Sequence, residues 1–212
     1  MRRRFYIALV ISLIPSRLVR ILLYRSMLRY RISLRAKIHF GVVIAVPRAT
    51  IGAAEIMKFN RFEGLFELVV EDGAIVGPFC NVDNGDWILE LRQLKADRLP
   101  SCTIREGSRI TATNYIDVSD DFELGEASWI AGRGSCFWTH GAGIVGKCII
   151  GSHCYVGSGV QFAPGTRVGN HSVVALGSVV TEQFDREYVM IAGMPARIIK
   201  ENYDWSKHGP AS

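Results

Sequence analysis

Six successive blocks, IVGKCI (144–149), IGSHCY (150–155), VGSGVQ (156–161), FAPGTR (162–167), VGNHSV (168–173) and VALGSV (174–179), followed by Val180, decide the fold. Each opens on an aliphatic or aromatic residue: Ile144, Ile150, Val156, Phe162, Val168, Val174, and then Val180 itself. Four places after each opening stands a small residue: Cys148, Cys154, Val160, Thr166, Ser172, Ser178. A helix repeats every 3.6 residues and a strand every two, so neither alone gives a period of six. Short straight rungs separated by sharp turns do, and three of them close a coil of about 18 residues. Coils stacked at about 4.8 Å make an all-β parallel β-helix, with the opening residue and its small partner pointing inward.

The period extends upstream as Val70, Val76 and Val82 with Ala74 and Cys80, then Ile104, Ile110 and Ile116, then Val118, Leu124, Ile130 and Cys136. The turns of such a coil explain why glycine reaches 21 of 212 residues. Cysteines 80, 136, 148 and 154 fall in inward slots, and the odd total of five reads as reduced thiols of a reducing compartment, used for packing. The period fails at about 83–101, which reads as an excursion from the wall able to shape a cleft. The organisation is a basic helical segment at 1–35, the β-helix at 36–190 and a tail at 191–212.

The net charge of +5 divides sharply: residues 1–54 carry eleven Lys or Arg and no acid, and the remainder 14 basic against 20 acidic residues. The apolar run Phe5 to Ile14, closed by Pro15, is half of the roughly 20 residues a membrane-spanning helix needs. It lacks a small-x-small cleavage site, which argues against export. From Ser16 to Arg35 arginines alternate with Leu18, Val19, Ile21, Leu22, Leu23, Met27 and Leu28 at mostly helical spacing. Such a basic amphipathic helix either lies on an anionic membrane or caps the domain with its apolar face, and the two readings weigh equally. Nucleic acid is not the expected partner, because the basic surplus is one amphipathic stretch and the rest is acidic. A cytoplasmic protein, peripheral on the inner face of the membrane if the helix binds lipid, fits these features.

The repeat also breaks. Counting six from Cys136 gives Ala142, two short of Ile144, so two extra residues must be accommodated around Phe137–Gly143. A regular solenoid has no need of this insertion, and it holds His140 beside Trp138 and flanked by small residues, which marks His140 as the candidate catalytic histidine. His153 and His171 fall at outer corners and read as exposed turns; His39 and His208 lie in irregular ends. If the coils are regular, Ser158 and Leu176 stack above His140 at steps of 18, offering the N–H groups of Gly157–Gly159 and Leu176–Ser178 to a ligand running along the axis.

The repeat of 144–180, the Thr139-His140 loop, the Gly177-Ser178-Val179-Val180-Thr181 ending and Ala192-Gly193-Met194-Pro195-Ala196-Arg197 resemble the hexapeptide-repeat acyltransferases. The resemblance covers about Ile104 to Lys200 and is strongest to sugar O-acetyltransferases of galactoside, maltose and surface-polysaccharide type. It implies a left-handed β-helix, a homotrimer with clefts between neighbouring coils, acetyl-coenzyme A as donor and no metal. It further implies His140 as general base and an acceptor site at Asn114, Asp117 and Trp138. Donor contacts fall at Ser158, Leu176, Gly177, Thr181, Arg197 and Lys200. Glu182 stands where the family often has lysine, and Gly141 where many members have proline.

A histidine, with an ordinary pKa near 6.5, is mostly neutral at pH 7 and suits a base that takes a proton from an attacking hydroxyl. The competing readings are an acyltransferase for an amino sugar, a metal hydratase of the γ-carbonic anhydrase type using His140, His153 and His171, and a non-enzymatic scaffold whose helix docks on membranes or partners.

Overall fold

A computed structural model describes residues 2–84 and 98–208. Short rungs recur in threes, and each pairs in parallel with its counterpart in the next coil, so three sheets of 8, 9 and 7 strands form the walls of a triangular prism. The winding is that of a left-handed parallel β-helix. We label the walls A, B and C in the order the chain visits them: in one coil Cys148–Ile150 lies on A, Tyr155–Val156 on B and Gln161–Phe162 on C.

In the carboxy-terminal coils the register follows the sequence period: Ile150 faces Val168, Val156 faces Val174 and Phe162 faces Val180, each partner three blocks of six further along. All six are buried, and so are the small partners at the corners. Side-chain hydroxyls there serve their own turns, Thr166 Oγ1 donating to the Ala163 carbonyl at 2.7 Å and Ser178 Oγ to the Ala175 carbonyl at 2.7 Å. The small residue is therefore both a steric and a hydrogen-bonding requirement of the corner.

Two inward assignments change. Phe137, fully buried between Phe122 and Phe162 with ring centroids 5.3 and 5.0 Å away, fills the slot expected of Cys136. Cys136 faces outward, half-buried, and Cys102 is instead fully enclosed. Ile144 is 60% exposed, because it has left the wall altogether. Phe137 pairs with Phe162, a longer step than the regular coil allows, so the insertion amounts to the whole stretch 139–145 rather than to two residues. An outward Cys136 and a displaced Ile144 mimic the inward phase and hide the difference. Upstream, Val82 pairs with Ile116 across a step longer still; most of the expected 83–101 excursion, residues 85–97, lies outside the described residues.

The amino-terminal segment forms two helices, α1 (Arg2–Ser12) and α2 (Arg17–Met27), separated at Pro15. The chain is already in the prism at the strand Arg31–Ile32, so the helix expected to reach Arg35 ends near Met27. Ala8, Ile11, Ile21 and Tyr24 close the open end of the first coil. That end exposes carbonyls with no further rung to pair them: Tyr24 Oη donates to Val42 at 2.8 Å, Tyr30 Oη to Val46 at 2.7 Å, and buried Arg20 to Ile38 at 2.7 Å, while Arg20 also holds the inter-helix linker through the Pro15 carbonyl at 2.9 Å. Capping is thus one role of the segment. At the other end, Met190–Gly193 and Ala196–Lys200 pair antiparallel and finish wall B.

Candidate active site

The chain leaves wall C at Trp138, whose N–H donates to the Phe162 carbonyl in the next coil at 3.0 Å, and returns at Gly146, whose N–H donates to the Thr139 carbonyl at 2.9 Å. Between them His140–Gly141 and Ile144–Val145 pair antiparallel as a hairpin at the edge between walls C and A. Gly143 turns it with φ of 77°, a conformation a side chain disfavours. A Cβ on Gly146 would stand 2.8 Å from the Gly165 backbone, so only glycine lets the hairpin base lie this close to the corner above.

His140 emerges at the hairpin base over a buried carboxylate. Its Nδ1 lies 2.9 Å from Asp117 Oδ1 and 3.1 Å from Ser119 Oγ. The Asp117 side chain is 1% exposed and accepts from the Thr139 N–H at 3.0 Å, Thr139 Oγ1 at 2.5 Å and Ser119 Oγ at 2.9 Å. A buried charge is tolerated only with such partners. Because a carboxylate accepts and never donates, Nδ1 carries the proton toward Asp117 in the neutral ring, and the basic lone pair belongs to Nε2. The Thr139 hydroxyl also accepts from the N–H groups of Ser119 and Asp120, at 2.8 and 3.0 Å, which locks the 117–121 turn beneath the histidine.

Beside this pair, the Trp138 ring sits 6.0 Å from His140 and 4.9 Å from Tyr115. Tyr115 Oη donates to Asp83 Oδ1 at 2.8 Å, and burial together with that carboxylate raises the phenol well above its ordinary pKa. On the other side Asp121 binds Arg98 at 2.7 Å, Lys147 at 3.0 Å and the Ser101 N–H at 3.0 Å. Burial pushes the Asp121 carboxyl up, but these donors outweigh it and bring the pKa down to about 2. Lys147, on the strand side of the hairpin base, is thereby tied to the same turn.

Of the expected acceptor residues, Trp138 is at the site, while Asp117 is buried beneath His140 as its partner instead of facing an acceptor. Asn114 is also buried: its amide donates to the Thr111 carbonyl at 3.1 Å and accepts from the Ser135 N–H at 3.0 Å, which makes it a corner residue bridging two coils. Ser119, Tyr115 and Asp83 join the site without any signal in the repeat to mark them. Ile116 pairs with Phe137, again a longer step than the regular coil, so a count in steps of 18 does not place Asp117 under Trp138.

Ser158 and Leu176 do stack, the Gly177 N–H donating to the Ser158 carbonyl at 2.9 Å, and both are exposed, Leu176 at 79%. Beneath them lies Arg133, whose carbonyl accepts from Gly159 at 3.0 Å, in place of His140. Because the insertion moves His140 out of the count, it projects from the C–A edge, whereas Ser158 and Leu176 line the B–C edge, with wall C between. Gly177 and Thr181 are exposed near the carboxy-terminal end; Arg197 pairs with Glu182 at 2.8 Å, and Lys200 lies 5.4 Å from the Tyr203 ring.

His153 and His171 stack face to face at 4.8 Å on the A–B edge, away from His140, a geometry that does not converge their nitrogens on a metal. Among the described residues no group of three or more His, Cys, Asp or Glu is placed to hold a metal ion. Burial pushes the thiols of Cys80 and Cys154 up to about 11 and of Cys102 and Cys148 up to about 12, so they are protonated packing groups at neutral pH.

No protein-family model matches the chain. The galactoside O-acetyltransferase of Escherichia coli K12 is 41% identical over 59 residues, 28% of this chain and 29% of that protein. The bifunctional protein GlmU of Staphylococcus epidermidis is 26% identical over 136 residues, 64% of this chain and 29% of that protein. The chain thus spans under a third of the length of these curated relatives. Among solved structures, the polysialic acid O-acetyltransferase OatWY superposes with a TM-score of 0.66 at 18% identity, covering 86% of this chain and 88% of that one. The polysialic acid-specific acetyltransferase NeuO gives 0.53 at 17% identity over 83% of each chain. The likeness to these structures is one of fold.

Proposed function

We propose that the protein transfers an acetyl group from acetyl-coenzyme A to a hydroxyl of a sugar or glycan precursor, with His140 as general base. The observation that carries this is the Asp117–His140 pair at the root of an insertion the solenoid does not need. The similarity to galactoside O-acetyltransferase supports the reaction class. Asp117 holds Nδ1–H, which leaves the basic lone pair on Nε2, and we assign that nitrogen as the proton acceptor. As the hydroxyl oxygen attacks the thioester carbonyl, Nε2 takes its proton. The same proton then passes to the departing thiol sulfur, and His140 ends neutral. A positioned base of this kind contributes about 10²–10⁴ in rate.

Wall C separates His140 from Ser158 and Leu176 within one chain, which supports a site completed by a second subunit. In the homotrimer we propose, the hairpin of one protomer faces the B–C edge of its neighbour, and the exposed Ile144, Val145 and Leu176 become contact groups. The exposed Thr181, Arg197 and Lys200 lie farther along the prism, toward the nucleotide end of the donor. Trp138 and Tyr115, with Asp83 behind them, suit the apolar face and hydroxyls of a sugar ring. The setting is cytoplasmic polysaccharide or glycan assembly.

The test is thiol release from acetyl-coenzyme A with free sugars, nucleotide sugars, amino sugars and lipid-linked saccharides as acceptors. His140→Ala is expected to keep donor binding and lose turnover by orders of magnitude. Turnover retained in that variant removes the assignment, and a monomer in sedimentation removes the shared site.

A further inference from the structure

The cap of the solenoid has a second face that closing the prism does not use. Along α1 and just past its end the residues Arg2, Arg3, Tyr6, Leu9, Val10 and Leu13 are exposed, a spacing of three and four that places them on one side of the helix. Tyr6, Val10 and Leu13 are 63, 66 and 57% exposed. On α2, Leu18, Val19, Leu22 and Met27 are likewise exposed, at 50, 43, 53 and 54%, around the part of the helix that Arg20, Ile21 and Tyr24 do not bury. Surface hydrophobics are ordinarily scattered; these eight lie on or beside two short helices that pack against each other, with exposed arginines among them.

We propose that this outer face docks the protein on an anionic phospholipid surface, with the apolar side chains entering the headgroup layer and the arginines meeting phosphate. Charge selects the partner. No acid occurs among residues 1–54, against eleven basic residues, so the face repels a second copy of itself and attracts a polyanion. The large apolar residues between the cations select a bilayer over nucleic acid, which offers phosphate but no apolar layer at that depth. Neither helix is long and apolar enough to cross a membrane, so the contact is interfacial. The strand leading into His140 is in the fifth rung of wall C counted from the capped end, about 20 Å along the axis at the usual strand spacing. The cap can therefore meet a membrane without covering the candidate site.

The experiment is flotation of the 212-residue protein with vesicles of phosphatidylcholine alone or of phosphatidylcholine mixed with phosphatidylglycerol. The wild type is expected to float with the mixed vesicles and not the neutral ones, with binding weakened by salt. Each basic residue at an anionic surface strengthens binding about fivefold. A triple Arg2→Gln, Arg3→Gln, Arg25→Gln variant, altered only at exposed positions, should therefore bind about a hundredfold more weakly with unchanged melting. Leu22→Ser with Val10→Ser should weaken binding without altering charge. Equal flotation with both vesicle types, or undiminished binding of the arginine variant, overturns the proposal. So does a change of oligomeric state in the variants without any vesicle binding by the wild type, and so does binding to RNA in place of vesicles. None of these outcomes depends on acyl transfer, so the docking surface and the enzymatic reading stand or fall separately.

Discussion

Replacing Asp117 by asparagine tests the catalytic reading at its most sensitive point. The carboxylate receives donors on both oxygens: the Thr139 N–H and hydroxyl on Oδ2, and His140 Nδ1 and Ser119 Oγ on Oδ1. An amide of the same shape has one acceptor. If its oxygen stays with Thr139, its NH2 group faces Nδ1, which must then accept, and the ring proton moves to Nε2. The base is thereby lost without displacing the ring. Inverting the tautomer of a histidine base in this way costs as much as about 10⁴ in kcat in a serine protease triad, and the general-base contribution alone is about 10²–10⁴, or roughly 3–5 kcal/mol of barrier. A fall in kcat within that range, with donor affinity unchanged, is the expected result of an acetyl-coenzyme A thiol-release assay on Asp117→Asn. The fold should lose about 1–3 kcal/mol, the scale of one imperfectly paired buried group, readable in thermal unfolding. Asp117→Asn retaining kcat within a few-fold in a folded protein refutes the pairing as the source of the base.

Other expectations follow from the same structure. Asp121, its carboxyl brought down to about 2 in the fold from an ordinary 3.8, stabilises the protein above pH 4, and that contribution is lost as pH falls from 4 through 2. Lowering the pH through that window should reduce the melting temperature less in Asp121→Asn than in the wild type. Phe137→Ala removes a fully buried ring stacked between two others and should cost about 3–5 kcal/mol in denaturant unfolding. A thiol reagent should label one cysteine, Cys136, rapidly in the native protein and all five after denaturation, since the other four are buried; rapid native labelling of Cys80 or Cys154 would contradict their inward placement.

The sequence alone determined the prism and its repeating unit. From Ile150 to Val180 one phase of six recurs without a break, and a coil that must stack in register leaves its inward and corner slots no freedom. For the same reason the Ser158–Leu176 stack was readable by counting. A local pattern also singled out His140, because an insertion in a periodic wall is visible as a loss of phase. The extent of that insertion was not visible, since Cys136 and Ile144 happen to carry the inward residue type while facing outward and standing in a hairpin. Asp117 as the histidine's partner, the separation of His140 from Ser158 across wall C, and the unused outer side of α1 and α2 were decided only in three dimensions. The coils differ in length: Ile116 meets Phe137, and Phe137 meets Phe162, across unequal steps that both exceed the one from Ile150 to Val168. A one-dimensional period carries no record of which edge of the prism such an irregular coil turns toward.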